Sequence, residues 1–257
     1  MSPESSEQEA ILWRLERQAP RYNAWLLDRT RRLLGTDVLE IGAGIGTFTL
    51  ALTQIANVQR IVALEPDDRL GITLAERTKD VANVEVLREP VEHLTPELAG
   101  GVVDSVVCFN VLEHIRDDRG ALIRMAECLR PGGSLFLLSP AHPFLFGEID
   151  RAVHHERRYR KAALARLLGD TGFAVETVRY VNPVGALGWL VSSRLLKVRD
   201  IPSSPLRLYE RLVPVLKLLD RASLPFGLSV WARAVRDARP CSDTSRRRPG
   251  QQTRGAP

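Results

Sequence analysis

Cysteine is scarce. Cys108, Cys128 and Cys241 are the only three in 257 residues, and no two form a C-x-x-C pair. An odd, scattered set excludes a disulfide framework and points to reduced thiols in a cytoplasmic protein. Long apolar runs are also missing: none approaches the roughly 18 residues a spanning helix needs. The opening MSPESSEQEA is acidic and polar, so it does not read as a signal peptide. There is no internal repeat. His142, His154 and His155 match no familiar ligand spacing, so no metal is expected from them.

Excess charge of one sign is lacking over most of the chain. The net charge is +5. Arginines 239, 246, 247, 248 and 254 against the single acid Asp243 put +4 of it after position 238, leaving about +1 for the body. A near-neutral body does not suit a nucleic-acid clamp, which needs a basic folded surface. Residues 238–257, rich in Arg, Pro, Gly, Ser and Gln, read as a disordered basic tail.

What is present is a pattern of short apolar runs alternating with amphipathic stretches, the mark of a parallel sheet wrapped by helices. Hydrophobic residues make up 44% and charged residues 26%, enough for one large α/β domain with a cap. Residues 7 to 34 read as helical, broken at Pro20. Strands are expected at 37–41, 60–64, 84–87, 104–109, 134–138, 173–180 and 228–235. Helices are expected at 46–56, 67–78, 117–129 and 161–168. The turn Arg130-Pro131-Gly132-Gly133 introduces the fifth strand. The organisation is then a helical cap (1–35), a nucleoside-binding domain (36–183 plus 227–237), an apolar and basic insertion (184–226) and the tail.

The segment Val38-Leu39-Glu40-Ile41-Gly42-Ala43-Gly44-Ile45-Gly46-Thr47 joins the first strand to its helix. Glycines let the backbone turn tightly and approach a ligand, and the helix start offers free amides. The spacing is G-x-G-x-G, and Thr47 stands where a dinucleotide fingerprint has its third Gly. Glu65 ends the second strand, nineteen residues after Gly46, where a carboxylate can accept from two ribose hydroxyls. It also reads as an acid at a helix start near the Asp67 cap. Glu40 inside an apolar strand is costly unless paired, and a cationic amino-acid ligand would explain it.

V-L-E-I-G-A-G-I-G resembles the first motif of class I S-adenosylmethionine (SAM)-dependent methyltransferases. Glu65 matches the acid after their second strand. Asp104 to His114 (D-S-V-V-C-F-N-V-L-E-H) resembles their fourth-strand motif, and Leu129-Arg130-Pro131-Gly132-Gly133-Ser134-Leu135 resembles the approach to the fifth. Together these cover about 37–140 in order and spacing. The resemblance implies a doubly wound, seven-stranded, mostly parallel sheet, a Rossmann-like methyltransferase fold with helical cap elements, and SAM as cofactor. Gly42, Ala43 and Gly44 would then pass beneath the methionine part. Glu65 and Pro66 would hold the ribose, Glu89 would stand near the adenine amino group, and Asn110 would line the amino-acid end beside Glu40.

The stretch from Ser139 to Asp150 (S-P-A-H-P-F-L-F-G-E-I-D), continuing into His154-His155-Glu156-Arg157-Arg158-Tyr159, resembles a bacterial subgroup with H-P-x-L-F-G-x-x-D followed by H-x-R-R-Y. Such proteins often accompany glycosyltransferases or natural-product pathways. The subgroup usually has Gly where His154 stands. His114, His142 and His155 are the candidate bases, with Asp150 orienting a ring. Arg157, Arg158 and Tyr159 would grip a phosphate or carboxylate of the substrate, or pack the loop through internal bonds. The insertion reads as a lid over a greasy acceptor or a membrane-surface element, or as a packed amphipathic cap.

The expected function is methyl transfer to a small-molecule or lipid-linked acceptor, O-directed, on a sugar or secondary metabolite. A methyltransferase-fold protein that holds SAM structurally, or catalyses a cyclisation, is the alternative. No nucleic-acid partner is expected: Asn110-Val111-Leu112-Glu113 is not the N-P-P-Y-type segment of base amino methylation. The expected place is the cytoplasm, with peripheral membrane contact through the insertion.

Overall fold

A computed structural model of the protein describes residues 3–195, 210–214, 216–218 and 224–237. The tail, Cys241 and the remainder of the insertion lie outside the described residues. Seven strands form one sheet: β1 (Asp37–Ile41), β2 (Arg60–Leu64), β3 (Val84–Leu87), β4 (Val103–Phe109), β5 (Leu129–Pro140), β6 (Phe173–Val181) and β7 (Ser229–Arg236). Their order is β3-β2-β1-β4-β5-β7-β6. The first five are parallel, and β7 runs antiparallel between β5 and β6. The order reverses between β1 and β4, so the crevice at their carboxyl ends is the natural ligand site of such a sheet.

Both faces are covered, which is why the strands read as nearly continuous apolar runs. Leu39, Ile41, Val106 and Leu137 bury against helices α5 (Asp118–Cys128) and α7 (Lys161–Asp170). Val38, Ile61, Val107 and Phe136 bury against α2 (Pro20–Asp28) and α3 (Thr47–Leu52). Each such side chain contributes about 1.5–3 kcal/mol through burial.

The broken N-terminal helix is two helices, α1 (Pro3–Gln18) and α2, with Pro20 at the first position of α2, where its missing N–H costs nothing. Helix α4 (Asp68–Thr78) is capped as its sequence promises: the Asp67 carboxylate accepts from the amides of Arg69 and Leu70, each at 2.9 Å. Helix α3 is shorter than the 46–56 expected. Beyond Leu52 the chain turns so that Ile55 and Val58 pack inward beside it. The turn at 130–133 lies inside β5 and does not precede it. Leu129 pairs with Val103, the next pair is Ser134 with Ser105, and Gly132 sits between them at φ +79°.

Helix α1 lies across the glycine loop. Glu9 is paired with Arg69 and Glu16 with Arg77 of α4. Arg77 Nη1 also donates to the Ile45 carbonyl at 2.6 Å, and Leu12 Cδ1 lies 3.1 Å from where a β-carbon on Gly44 would stand. The described residues among 210–218 of the insertion dock on α2, while Trp189 and Ser193 reach Asp150 and Ile149. Val213 and Leu216 bury against Trp25, the Glu210 carboxylate accepts from the Arg21 and Tyr22 amides at the start of α2, and Lys217 pairs with Asp28 at 2.9 Å. Among the described residues no helix is long and apolar enough to cross a membrane.

Candidate active site

The glycine loop turns through left-handed backbone at Gly42 (φ +68°), Gly44 (φ +58°) and Gly46 (φ +85°). At Gly42 the turn also passes so close to Val111 that a β-carbon would lie 2.4 Å from its Cγ2. The amides of Gly42 and Ala43 donate to the Leu64 carbonyl at 2.8 and 3.0 Å, which ties the loop to the end of β2.

Two acids border the loop. Glu65 is buried, and its oxygens accept from Gly44 N at 2.7 Å and Asp67 N at 3.0 Å. Each oxygen keeps a further lone pair. Burial raises its pKa above the ordinary carboxylate value. Glu40 is 3% exposed and accepts only from the Thr49 hydroxyl, at 2.6 Å. Burial pushes its pKa up to about 8, and the charge of Glu65 pushes in the same direction. Two buried acids reinforcing each other beside an amide-rich turn form a cradle suited to a ligand with a cationic end and hydroxyls. That fits SAM. Pro66 follows at the surface. Glu89 lies further out and is engaged with His93 Nδ1 at 3.0 Å.

A second group of candidate side chains gathers where β4 and β5 leave the sheet. Asn110 (φ +55°) exits β4 with its amide on the Leu138 carbonyl at 2.8 Å. His142 (φ +60°) exits β5. Non-glycine residues in this region are strained and uncommon. The His142 ring is sandwiched by Tyr180 and Phe226, with centroids at 4.3 and 4.9 Å. It is 9% exposed, and its Nε2 has no hydrogen-bond partner. Burial lowers its pKa, and the cationic Arg158 and Arg160 add to the effect.

The H-x-R-R-Y stretch runs along the same edge. Glu156 N donates to the Glu113 carbonyl at 2.8 Å, and Tyr159 pairs its backbone with Pro140 and His142. The two motifs, thirteen residues apart in sequence from His142 to His155, therefore lie side by side. Asp150 Oδ1 accepts from His155 Nδ1 at 2.8 Å and from Arg158 Nε at 2.7 Å. Asp150 Oδ2 takes the Gly147 amide at the start of the short helix α6 (Glu148–Ala152). Arg158 also reaches the Ala141 carbonyl at 3.1 Å and covers the Trp189 ring. Arg157 and the Tyr159 hydroxyl both bond Asp118, at 2.9 and 2.8 Å. Asp150 and Arg158 thus bind each other and the loop, while Arg157 and Tyr159 bind Asp118 at the start of α5.

His114 packs edge-on against His155, with centroids 4.8 Å apart. Burial lowers its pKa to about 4. Among the three histidines weighed as a metal set, His154 is exposed and left-handed (φ +57°), so it adopts the conformation for which Gly is usual. The group the structure brings together is a different one: Glu113, His114 and His155 have ligand atoms within 4.8 Å of one another. Sequence reasoning quoted Glu113 and gave it no role. The signal was available: a lone acid between Leu112 and His114 in an otherwise apolar stretch.

A family model described as a methyltransferase domain matches residues 15–178. The chain is similar to the ubiquinone biosynthesis O-methyltransferase of Xanthomonas axonopodis pv. citri, 27% identical over 56% of this chain and 65% of that protein. It is also similar to the enzyme of the same name from Acinetobacter baumannii strain ACICU, 31% identical over 65% of this chain and 76% of that one. The chain thus spans less than two thirds of the length of the first of these relatives. Among solved structures, the N-methyltransferase NodS from Bradyrhizobium japonicum WM9, in complex with S-adenosyl-L-homocysteine, superposes with a TM-score of 0.59. It is 16% identical, and the match covers 90% of this chain and 96% of that one.

Proposed function

The chain belongs to the class I SAM-dependent methyltransferase family, and from that membership we propose that it methylates a hydroxyl of a small-molecule or lipid-linked acceptor, a sugar or secondary metabolite. The observation that carries the donor half is the glycine turn flanked by two buried acids, Glu40 and Glu65. The names of both curated relatives support oxygen as the target.

Bound SAM supplies a methyl group on a sulfonium, ready for displacement in line. The chain's own residues do the rest. Gly42, Ala43 and Gly44 turn beneath the methionine part, with Glu40 and Asn110 at its amino-acid end. Glu65, with Pro66 behind it, offers its remaining lone pairs to the ribose hydroxyls. Glu89 is nearest the adenine side. Alignment of donor and acceptor is the main contribution, worth up to about 7–11 kcal/mol.

His142 takes the acceptor's proton. Its buried, lowered pKa keeps the imidazole neutral, its Nε2 is free, and the aromatic rings on both sides fix its plane. SAM held there would supply the methyl group, and His142 would take the proton that the acceptor hydroxyl gives up and pass it to solvent. Asp150, Arg157, Arg158 and Tyr159 act by holding the loop that carries His155, since their bonding groups are engaged within the protein. The insertion covers a greasy acceptor and offers a peripheral membrane contact. Leu187 and Leu218, 58% and 65% exposed, support that part of the reading.

Protein incubated with methyl-labelled SAM and a panel of hydroxylated acceptors should move label into one acceptor with equal release of S-adenosylhomocysteine, and Gly44→Arg should abolish both. Tight SAM binding without methyl loss from any acceptor would support instead a protein that holds SAM structurally for a non-methylating reaction.

A further inference from the structure

Glu113 is the least expected side chain at the β4–β5 edge. It is fully buried, 0% exposed, and neither carboxylate oxygen makes a hydrogen bond of normal geometry. The Ser139 hydroxyl beside it, itself without a partner of normal geometry, and the nearby charge of Arg158 favour its ionised form. A buried carboxyl so poorly satisfied costs roughly 1–3 kcal/mol or more, and such a group in a native fold asks for an ion or water to complete it.

Two imidazoles face it, and one of them has a ring nitrogen already fixed. His155 Nδ1 is held by Asp150 at 2.8 Å, which leaves Nε2, 3.9 Å from Glu113 Oε1, with its lone pair free. The backbone of His154 lies against the His114 ring, and one His114 ring nitrogen belongs to the cluster. Metal-bound histidines are oriented as His155 is, the second nitrogen tied to a carboxylate or to the backbone. Asp150 is in turn neutralised by Arg158, so its charge does not compete for a cation. The three ligand atoms lie within 4.8 Å of one another. Ligands around a cation at about 2.0–2.2 Å stand roughly 3–3.5 Å apart, so closure needs shifts of about 1 Å or less.

We propose that Glu113, His114 and His155 bind one divalent transition-metal cation with open positions facing the acceptor. Two nitrogens and one carboxylate oxygen favour Zn2+, Co2+ or Mn2+ over Mg2+ or Ca2+, which prefer all-oxygen shells. Three protein ligands leave coordination sites for an acceptor oxygen, whose proton is then more easily lost. The role in catalysis rests on the methyl-transfer reading above, whereas the binding itself does not.

The test uses the full chain, treated with chelator, dialysed and titrated with Co2+, whose visible absorption reports coordination. Expected are one Co2+ per chain with d–d bands, displacement by Zn2+ but not by equimolar Mg2+, and at least tenfold weaker binding in Glu113→Gln and His155→Gln. Heats of SAM binding by these variants serve as the check that they are folded. Labelled transfer to the acceptor should be chelator-sensitive and restored by the cation. Absence of stoichiometric Co2+ binding to wild-type chain, or binding unchanged in both variants, overturns the proposal. Co2+ bound at this site in a protein that transfers methyl to nothing would leave the site standing and sink the methyl-transfer reading alone.

Discussion

Asp150 and Arg158 are joined by an Nε to Oδ1 bond of 2.7 Å with both side chains essentially sealed from solvent. The bond links the loop after β5 to the segment that returns along it, and the same carboxylate fixes His155. Removing one partner of such a pair strands a buried charge. Arg158→Ala should therefore lower unfolding stability by about 3–5 kcal/mol, read as a shift in urea midpoint. Replacing both residues together with apolar side chains of similar volume should cost less than either single change.

The glycine turn is tested at Gly42. Alanine there must adopt a left-handed backbone, costing about 1–2 kcal/mol, and its β-carbon would overlap Val111. Gly42→Ala should weaken SAM binding by at least a hundredfold in calorimetry while the far-ultraviolet dichroism stays native. Undiminished binding would dissociate the turn from the cofactor.

Glu40 sets a pH dependence whose sign follows from its raised pKa of about 8. In the folded chain without ligand the carboxyl keeps its proton up to that value, while the unfolded chain releases it near 4.5. The stability this group contributes is complete below pH 4.5 and is lost as pH rises through 8. Glu40→Gln should flatten the stability profile between pH 5 and 8, by on the order of a few kcal/mol. If the SAM ammonium settles beside this acid, wild-type binding should release a proton near pH 7 and the Gln variant should not. Calorimetry in buffers of different ionisation heat separates the two.

His142 is expected to behave as the base. His142→Ala should lower turnover by about 10²–10⁴-fold with SAM affinity within twofold of wild type. Because burial lowers the pKa of this imidazole, the wild-type rate should hold below pH 6.5 and fall only as the ring gains a proton at more acidic values.

Most of the sheet could be read from the residues. Strands 37–41 and 60–64 stand where their apolar runs lie, because each is buried on both faces, and the half-buried edge strand 84–87 follows the break at Asn83. The capping role of Asp67 and the helix start at Pro20 were equally plain, since local chemistry alone decides them. The left-handed turn at Gly42 to Gly46 and the acid that ends β2 were legible for the same reason. The partner of Glu40 was not: Thr49 is on the next helix, and only the turn between them sets the 2.6 Å contact. Arg157, Arg158 and Tyr159 read equally as groups for a substrate anion or as packing for the loop, and no motif showed that Asp118, about forty residues earlier, would engage two of them and Asp150 the third. Nor did spacing join Glu113 to His155, since the meeting depends on a return path along β5 that no short motif encodes.

The backbone at the exits of β4, β5 and β6 carries Asn110, His142 and Asn182 at positive φ. The two asparagines tolerate that geometry; an imidazole tolerates it poorly. A chain selected only for heat tolerance would be expected to shed the histidine first, trading the ring for a residue that relaxes the corner. With His142 as the proposed base, the rim of the sheet is where thermal robustness and turnover would pull against each other, and survivors of a stability screen altered at 142 would be sturdier proteins with little left to do.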